Sequence, residues 1–290
     1  MFKIASTQSL YKTYLLSDEI GQSQISVVPE KGGIVTEWRW QNQDIFYLDR
    51  ERFQDPKLSV RGGIPLLFPI CGNLVNDTYE YKGKTYKLAQ HGFARNLPWE
   101  VTQESREEKA SITVSLKSNA ETLLVYPFDF ELDFIYTIKG NTLELVYRHR
   151  NLSDQSMPFA TGIHPYFYVA DKSQLSFEIP ATEYQAKGDT NKQQFTGEFD
   201  FNREEIDVAF TNLSANIATV TDKNRQLKLS IEYDQHYSTL VFWTVKNKDF
   251  YCLEPWSSPR NALNTGEKLL IAEPGETKET KIVFTIESLT

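Results

Sequence analysis

Glu254 closes the apolar stretch Tyr251-Cys252-Leu253-Glu254-Pro255-Trp256 and shares period-2 parity with Phe250 and Cys252. A carboxylate on an apolar face is costly unless it is paired or used, and such a setting raises its pKa towards that of a general base. Three other segments carry side chains able to move protons or hold anions. Thr161-Gly162-Ile163-His164-Pro165-Tyr166-Phe167 sets His164 in extended backbone before a proline. Gln90-His91-Gly92-Phe93-Ala94-Arg95-Asn96 brackets a glycine with a histidine and an arginine. The loop from Arg61 to Asn73 is too apolar for an ordinary surface loop, and its three glycines and two prolines suit close backbone approach. Imidazole and carboxylate are the usual general acid–base groups, and paired arginines bind anions through charge-assisted hydrogen bonds.

Taken singly, each residue has a plainer explanation. A histidine in an apolar strand is commonly a hydrogen-bonded core residue, and a glutamate ending a strand is commonly solvated. His149, continuing the Leu143/Leu145/Tyr147 face, and His236, in Asp234-Gln235-His236, are assigned to that class. There is no GxSxG elbow, P-loop, GxGxxG or HExxH. The histidines lack metal-ligand spacing, so no metal and no cofactor are expected.

The elements that must position these groups read as strands. Apolar residues alternate at Ile112/Val114/Leu116, Leu132/Phe134/Tyr136/Ile138, Leu143/Leu145/Tyr147, Leu227/Leu229/Ile231/Tyr233 and Ile282/Phe284/Ile286. Each set gives one buried and one polar face. Turn signals lie at Lys82-Gly83-Lys84, Lys139-Gly140-Asn141 and Asp222-Lys223-Asn224. Thr239 to Val245 and Phe159 to Val169 are apolar on both faces and predict central strands covered on both sides. Ala120 to Tyr126 predicts one short helical turn, and the polar stretch Lys187 to Asn202 a surface excursion. The expectation is an all-β protein, a large antiparallel β-sandwich in a single domain over 1–290.

Composition narrows the partners. With 31 basic against 39 acidic residues and no Lys/Arg cluster, nucleic acid is not expected. No apolar run approaches the ~18 residues of a membrane span. The start carries no secretory signal, and Cys71 and Cys252 form no CxxC, so a cytoplasmic location is expected.

Together, Gln90-His91-Gly92-Phe93-Ala94-Arg95, Gly162-Ile163-His164-Pro165-Tyr166-Phe167 and Leu253-Glu254-Pro255-Trp256 resemble the aldose 1-epimerase (galactose mutarotase-like) superfamily. Glu273-Pro274-Gly275-Glu276 before the last strand agrees, and the resemblance runs from about Ile25 to the C-terminal strand. It implies a β-supersandwich with a small-molecule sugar in a cleft on one sheet. It implies His164 as general acid, Glu254 as general base, and His91 and Asp207 as sugar-binding residues. The chain departs from the free-galactose enzymes at Asn73, where they carry an arginine, and at Phe93 within "HGF" where they have "HGG". Asn73 is still counted with the substrate-binding set. Arg61 in "RGGIP" and Arg95 in "HGFAR" look like the hexose-6-phosphate mutarotase branch and imply a phosphate reader. A non-catalytic sugar-binding module, or a lyase or hydrolase on the same sandwich, is the alternative.

Overall fold

The computed structural model describes every residue except Lys57 and Thr290. Its architecture is all-β and antiparallel, as the alternation predicts. One eight-stranded sheet runs, in spatial order, Leu175–Glu178, Ile217–Asp222, Leu227–Tyr233, Thr277–Ser288, Thr142–Asn151, Phe130–Lys139, Ala110–Lys117 and Glu100–Ser105. The facing sheet runs Lys192–Gln194, Glu183–Ala186, Glu205–Phe210, Thr239–Val245, Phe250–Trp256, Gly162–Ile163 and Leu66–Leu67. Tyr166–Tyr168 also pairs with Phe250–Trp256. A five-stranded N-terminal sheet spans Phe2–Gln8 to Gln43–Asp44. Among the described residues no helix is long and apolar enough to cross a membrane.

The core lies between the two large sheets and is built from rings. Phe284 of the first packs on Phe167 of the second at 5.6 Å, and His149 stacks on Phe68 and Phe159. His149 is fully buried with Nε2 3.0 Å from Thr161 Oγ1, and His236 pairs with Asp234, so both are the hydrogen-bonded histidines expected. Strand alternation then divides labour along Phe250–Trp256. Tyr251 and Leu253 join this core, while Phe250, Cys252, Glu254 and Trp256 take the other face.

Two apolar stretches depart from the expectation. Thr239–Val245 is buried from Thr239 to Phe242, but Trp243 and Val245 are partly exposed, because its outer face opens into a cleft. The segment from Phe159 to Val169 is broken into short strands, since Pro165 can donate no ladder hydrogen bond. The short helix, Ala120–Val125, starts on an Asn119 capping box. The polar excursion contributes the edge strand Lys192–Gln194.

Buried Asp18 joins the N-terminal sheet to the first large sheet. Its carboxylate accepts the backbone N–H of Gly140 at 2.8 Å and of Gly21 at 3.1 Å. Burial pushes its pKa up, but these backbone donors outweigh it and the net shift is down. A depressed carboxylate stabilises the fold above its unfolded pKa, and that contribution disappears as pH falls through the folded value. Asp18→Ala is therefore expected to cost about 1–3 kcal/mol at neutral pH. The deficit should shrink as unfolding is measured at pH values falling below about 4; a deficit unchanged at low pH would remove the charge from the account. Gly92 adopts φ +70° and bridges to Phe68, and a Cβ there would lie 2.2 Å from the Phe68 carbonyl oxygen, well inside contact distance. Gly92→Ala is expected to lower stability by at least about 1–3 kcal/mol in denaturant unfolding, and to disturb His91 beside it.

Candidate active site

Register places the two proton-bearing side chains. Gly162 pairs with Trp256, and Tyr166 with Cys252, on either side of Pro165. The same register continued through the interruption sets His164 opposite Glu254. Directly opposed residues point to one face of an antiparallel pair, and His164 Nε2 lies 3.4 Å from Glu254 Oε1. A second row crosses four strands on the same face: Tyr166, Cys252, Trp243 and Asp207.

The pair is held away from water. Glu254 is 1% exposed, and Trp256 Nε1 donates to its Oε2 at 3.1 Å, leaving Oε1 towards His164. Burial, and then the Asp207 carboxylate, push the Glu254 pKa well up. His164 stacks on Tyr166 at 4.8 Å, and burial followed by Arg95 lowers its pKa to about 3. Burial thus favours a neutral imidazole beside a carboxyl that grips its proton. Moving one proton from Oε1 to Nε2 ionises both groups at once.

His91 is the third ring. It sits at φ +67°, 5.5 Å from His164 and 5.6 Å from Trp256. Its Nδ1 accepts the N–H of Gly72 at 3.1 Å, which places the proton of the neutral ring on Nε2, 3.2 Å from the Gln90 side-chain amide that a ligand hydroxyl would replace or share. Burial keeps it neutral, so it presents a hydrogen-bond donor.

These groups border a cleft of about 230 Å³, lined also by Gln90, Arg95, Lys187, Asp207, Trp243 and Arg260. Asp207 is held by two cations, Arg260 Nη2 to Oδ1 at 2.6 Å and Lys187 Nζ to Oδ2 at 3.2 Å. Arg260 lies over the Trp256 ring and passes Gly72, where a Cβ would come within 2.5 Å of its Cγ. Arg95 donates to the Gln90 carbonyl, and the buried Nε atoms of Arg95 and Arg260 have no protein partner. A larger open groove, about 770 Å³, is lined by other residues, including Lys172, Phe199 and Lys248, and contains no such acid–base pair.

Of the residues expected from sequence, His164, Glu254, His91, Asp207 and Arg95 meet at this cleft. Arg61 and Asn73 are not among its lining residues. The Arg61 guanidinium lies over the Trp243 ring at 5.8 Å, and the Asn73 amide turns back onto the Leu74 carbonyl. Trp99 is buried with its Nε1 on the Ala94 carbonyl, away from the cleft wall. Lys187 and Arg260 were not foreseen. Each is an isolated basic residue in a turn, and only Arg260, four residues after Trp256, carried a positional hint.

Comparison with known proteins places the chain in a family. The chain is similar to the Slr1438 protein of Synechocystis sp. PCC 6803, with 45% identity over 99% of this chain and all of that one, at a TM-score of 0.95. It is 27% identical to the chromosomal protein LacX of Lactococcus lactis subsp. lactis, over 88% of each chain. It is 25% identical to a Cenchrus ciliaris protein named "Putative glucose-6-phosphate 1-epimerase", over 84% of this chain and 76% of that one. The sequence model of the aldose 1-epimerase family matches residues 13–285, and the chain belongs to that family.

Proposed function

We propose that the protein is a mutarotase that interconverts the α and β anomers of a hexose, with hexose 6-phosphates preferred. The observation that carries this reading is the His164–Glu254 pair, two proton-transfer groups at 3.4 Å in one sheltered cleft. The anomeric oxygen and the ring oxygen are bonded to the same carbon, so groups this close can serve both. Glu254 as carboxylate takes the proton of the anomeric hydroxyl while His164 as imidazolium protonates the ring oxygen. The C1–O5 bond breaks, leaving an open-chain aldehyde, a neutral imidazole and a protonated carboxyl. Burial favours that charge state, so the ion pair must first form by moving the Glu254 proton to His164 Nε2, and the transfers to the sugar then run back towards the favoured neutral pair. Rotation about C1–C2 and the reverse transfers close the ring on the other face and restore both groups. His91, through Nε2–H, and Asp207 hold sugar hydroxyls. A non-catalytic binding module would leave the burial of Glu254 without a use.

The phosphate preference is supported by cationic groups at the cleft. Arg95 and Arg260 line it, and Lys187 reaches it from a neighbouring turn. Guanidinium groups suit phosphate geometry. The name of the Cenchrus ciliaris relative points the same way. Arg61, packed on Trp243, is assigned a supporting place.

Glu254→Gln is expected to keep sugar binding and to lose about 10²–10⁴-fold in the rate of anomer interconversion, followed by polarimetry on freshly dissolved sugar. Full activity would take Glu254 out of the mechanism. For the phosphate, Arg95→Ala is expected to raise KM for glucose 6-phosphate by roughly 10-fold or more, the worth of a charge-assisted hydrogen bond. KM for glucose should change little, and equal effects on both sugars would sink the phosphate reading.

A further inference from the structure

A third donor lies beside the acid–base pair. Cys252 sits two residues before Glu254 on the same strand face, fully buried, between Tyr166 and Trp243 in the cross-strand row. A ring nitrogen of His164, the Cys252 Sγ and a carboxylate oxygen of Glu254 all lie within 4.8 Å of one another. We propose that His164, Cys252 and Glu254 form a transition-metal site that takes Zn²⁺ or Co²⁺, and that the bound ion blocks the acid–base pair.

Geometry and donor chemistry carry the proposal. Tetrahedral zinc bonds of roughly 2.0–2.3 Å place neighbouring ligand atoms about 3.3–3.7 Å apart. The 3.4 Å edge between His164 Nε2 and Glu254 Oε1 already has that length. The remaining edges need close by no more than about an ångström, within the reach of small side-chain rotations. Thiolate, imidazole and carboxylate together select zinc-like ions, whereas magnesium and calcium take oxygen ligands. A thiolate and a carboxylate also neutralise a divalent ion, so the complex adds no net charge to a buried position. The Trp256 indole holds Oε2 and leaves Oε1 free, an outer hydrogen bond of the kind that orients metal ligands. Three protein ligands leave a fourth position for water from the cleft.

Binding is a ligand exchange without redox change. The thiol proton of Cys252 leaves to solvent as the sulfur lone pair forms the metal–sulfur bond, and any proton on Glu254 leaves likewise. Oε1 and Nε2 then serve the ion and can no longer exchange protons with a sugar. The plainer account of Cys252 is a small apolar residue packed with Tyr166 and Phe250, and the test separates the two.

Protein stripped with a chelator and desalted is titrated with Co²⁺. The expected result is a thiolate-to-cobalt charge-transfer absorption that saturates at a single ion per chain and is bleached by Zn²⁺. Cys252→Ser should abolish the band, and Cys71→Ser should keep it. Zinc inhibition of anomer interconversion, each protein compared with its own chelated baseline, should weaken by about 10–100-fold in Cys252→Ser. Absence of the band, its persistence in Cys252→Ser, or equal zinc sensitivity of both proteins would overturn the site. If Cys252→Ser does not fold, Cys252→Ala and the Cys71→Ser control still assign the sulfur. The inhibitory consequence rests on the mutarotase reading, but the cobalt titration does not. A cobalt band on a protein without mutarotase activity keeps the metal site, and an active protein without the band keeps the enzyme alone.

Discussion

The cost of withholding a carboxylate from water is the constraint around which this protein is arranged. Glu254 sits in the middle of a sheet, with its neighbours on both sides of the strand buried as well. A group so placed either holds a proton or finds a partner. Most of the cleft wall answers that demand, against the Asp207 carboxylate, which pushes the other way. Trp256 donates to one oxygen, His164 stands against the other, and Arg95 and Arg260 add positive charge that draws the pKa back down against burial.

Backbone register is what makes that arrangement repeatable. The partnership of His164 and Glu254 is not assembled from flexible loops. It follows from two ladders that keep one register across a proline, so the ring and the carboxyl face each other as ordinary cross-strand neighbours. Beneath them, Tyr251 and Leu253 anchor the strand in the core between the sheets. A shift of one residue would turn Glu254 into that core and bring Leu253 or Pro255 to the cleft. The integrity of the core and the placement of the acid–base pair are thus one requirement, set by the alternation of a single strand.

Much of this was legible in the sequence, for physical reasons that also mark the limits. Alternating apolar residues report half-buried strands directly, and the parity of Phe250, Cys252 and Glu254 located the unusual carboxylate. The motifs around His91 and His164 carried the family resemblance, and the matching family model agrees with it. The unusual loop and the family resemblance it carries point to Arg61 and Asn73, but neither says which of the loop's side chains faces the cleft. Asn73 turns to its own backbone, and Arg61 covers an indole. Lys187 and Arg260 escaped for the opposite reason. Their importance lies in a shared partner, Asp207, from which each is distant in sequence.

That shared partner separates two kinds of mechanical support. The acid–base pair hangs on ladder pairing within the sheet, whereas Lys187 lies just past the end of the Glu183–Ala186 strand and Arg260 in the turn after Trp256. Because the Lys187 N–H donates to the Asp207 carbonyl, a change in side chain at Lys187 or Arg260, unlike a change in turn length, would alter which charges face the cleft and leave the ladder intact. The cleft is therefore divided into a ladder-fixed pair and a charged rim held by turns; on the proposed function the first moves protons and the second chooses whose protons are moved.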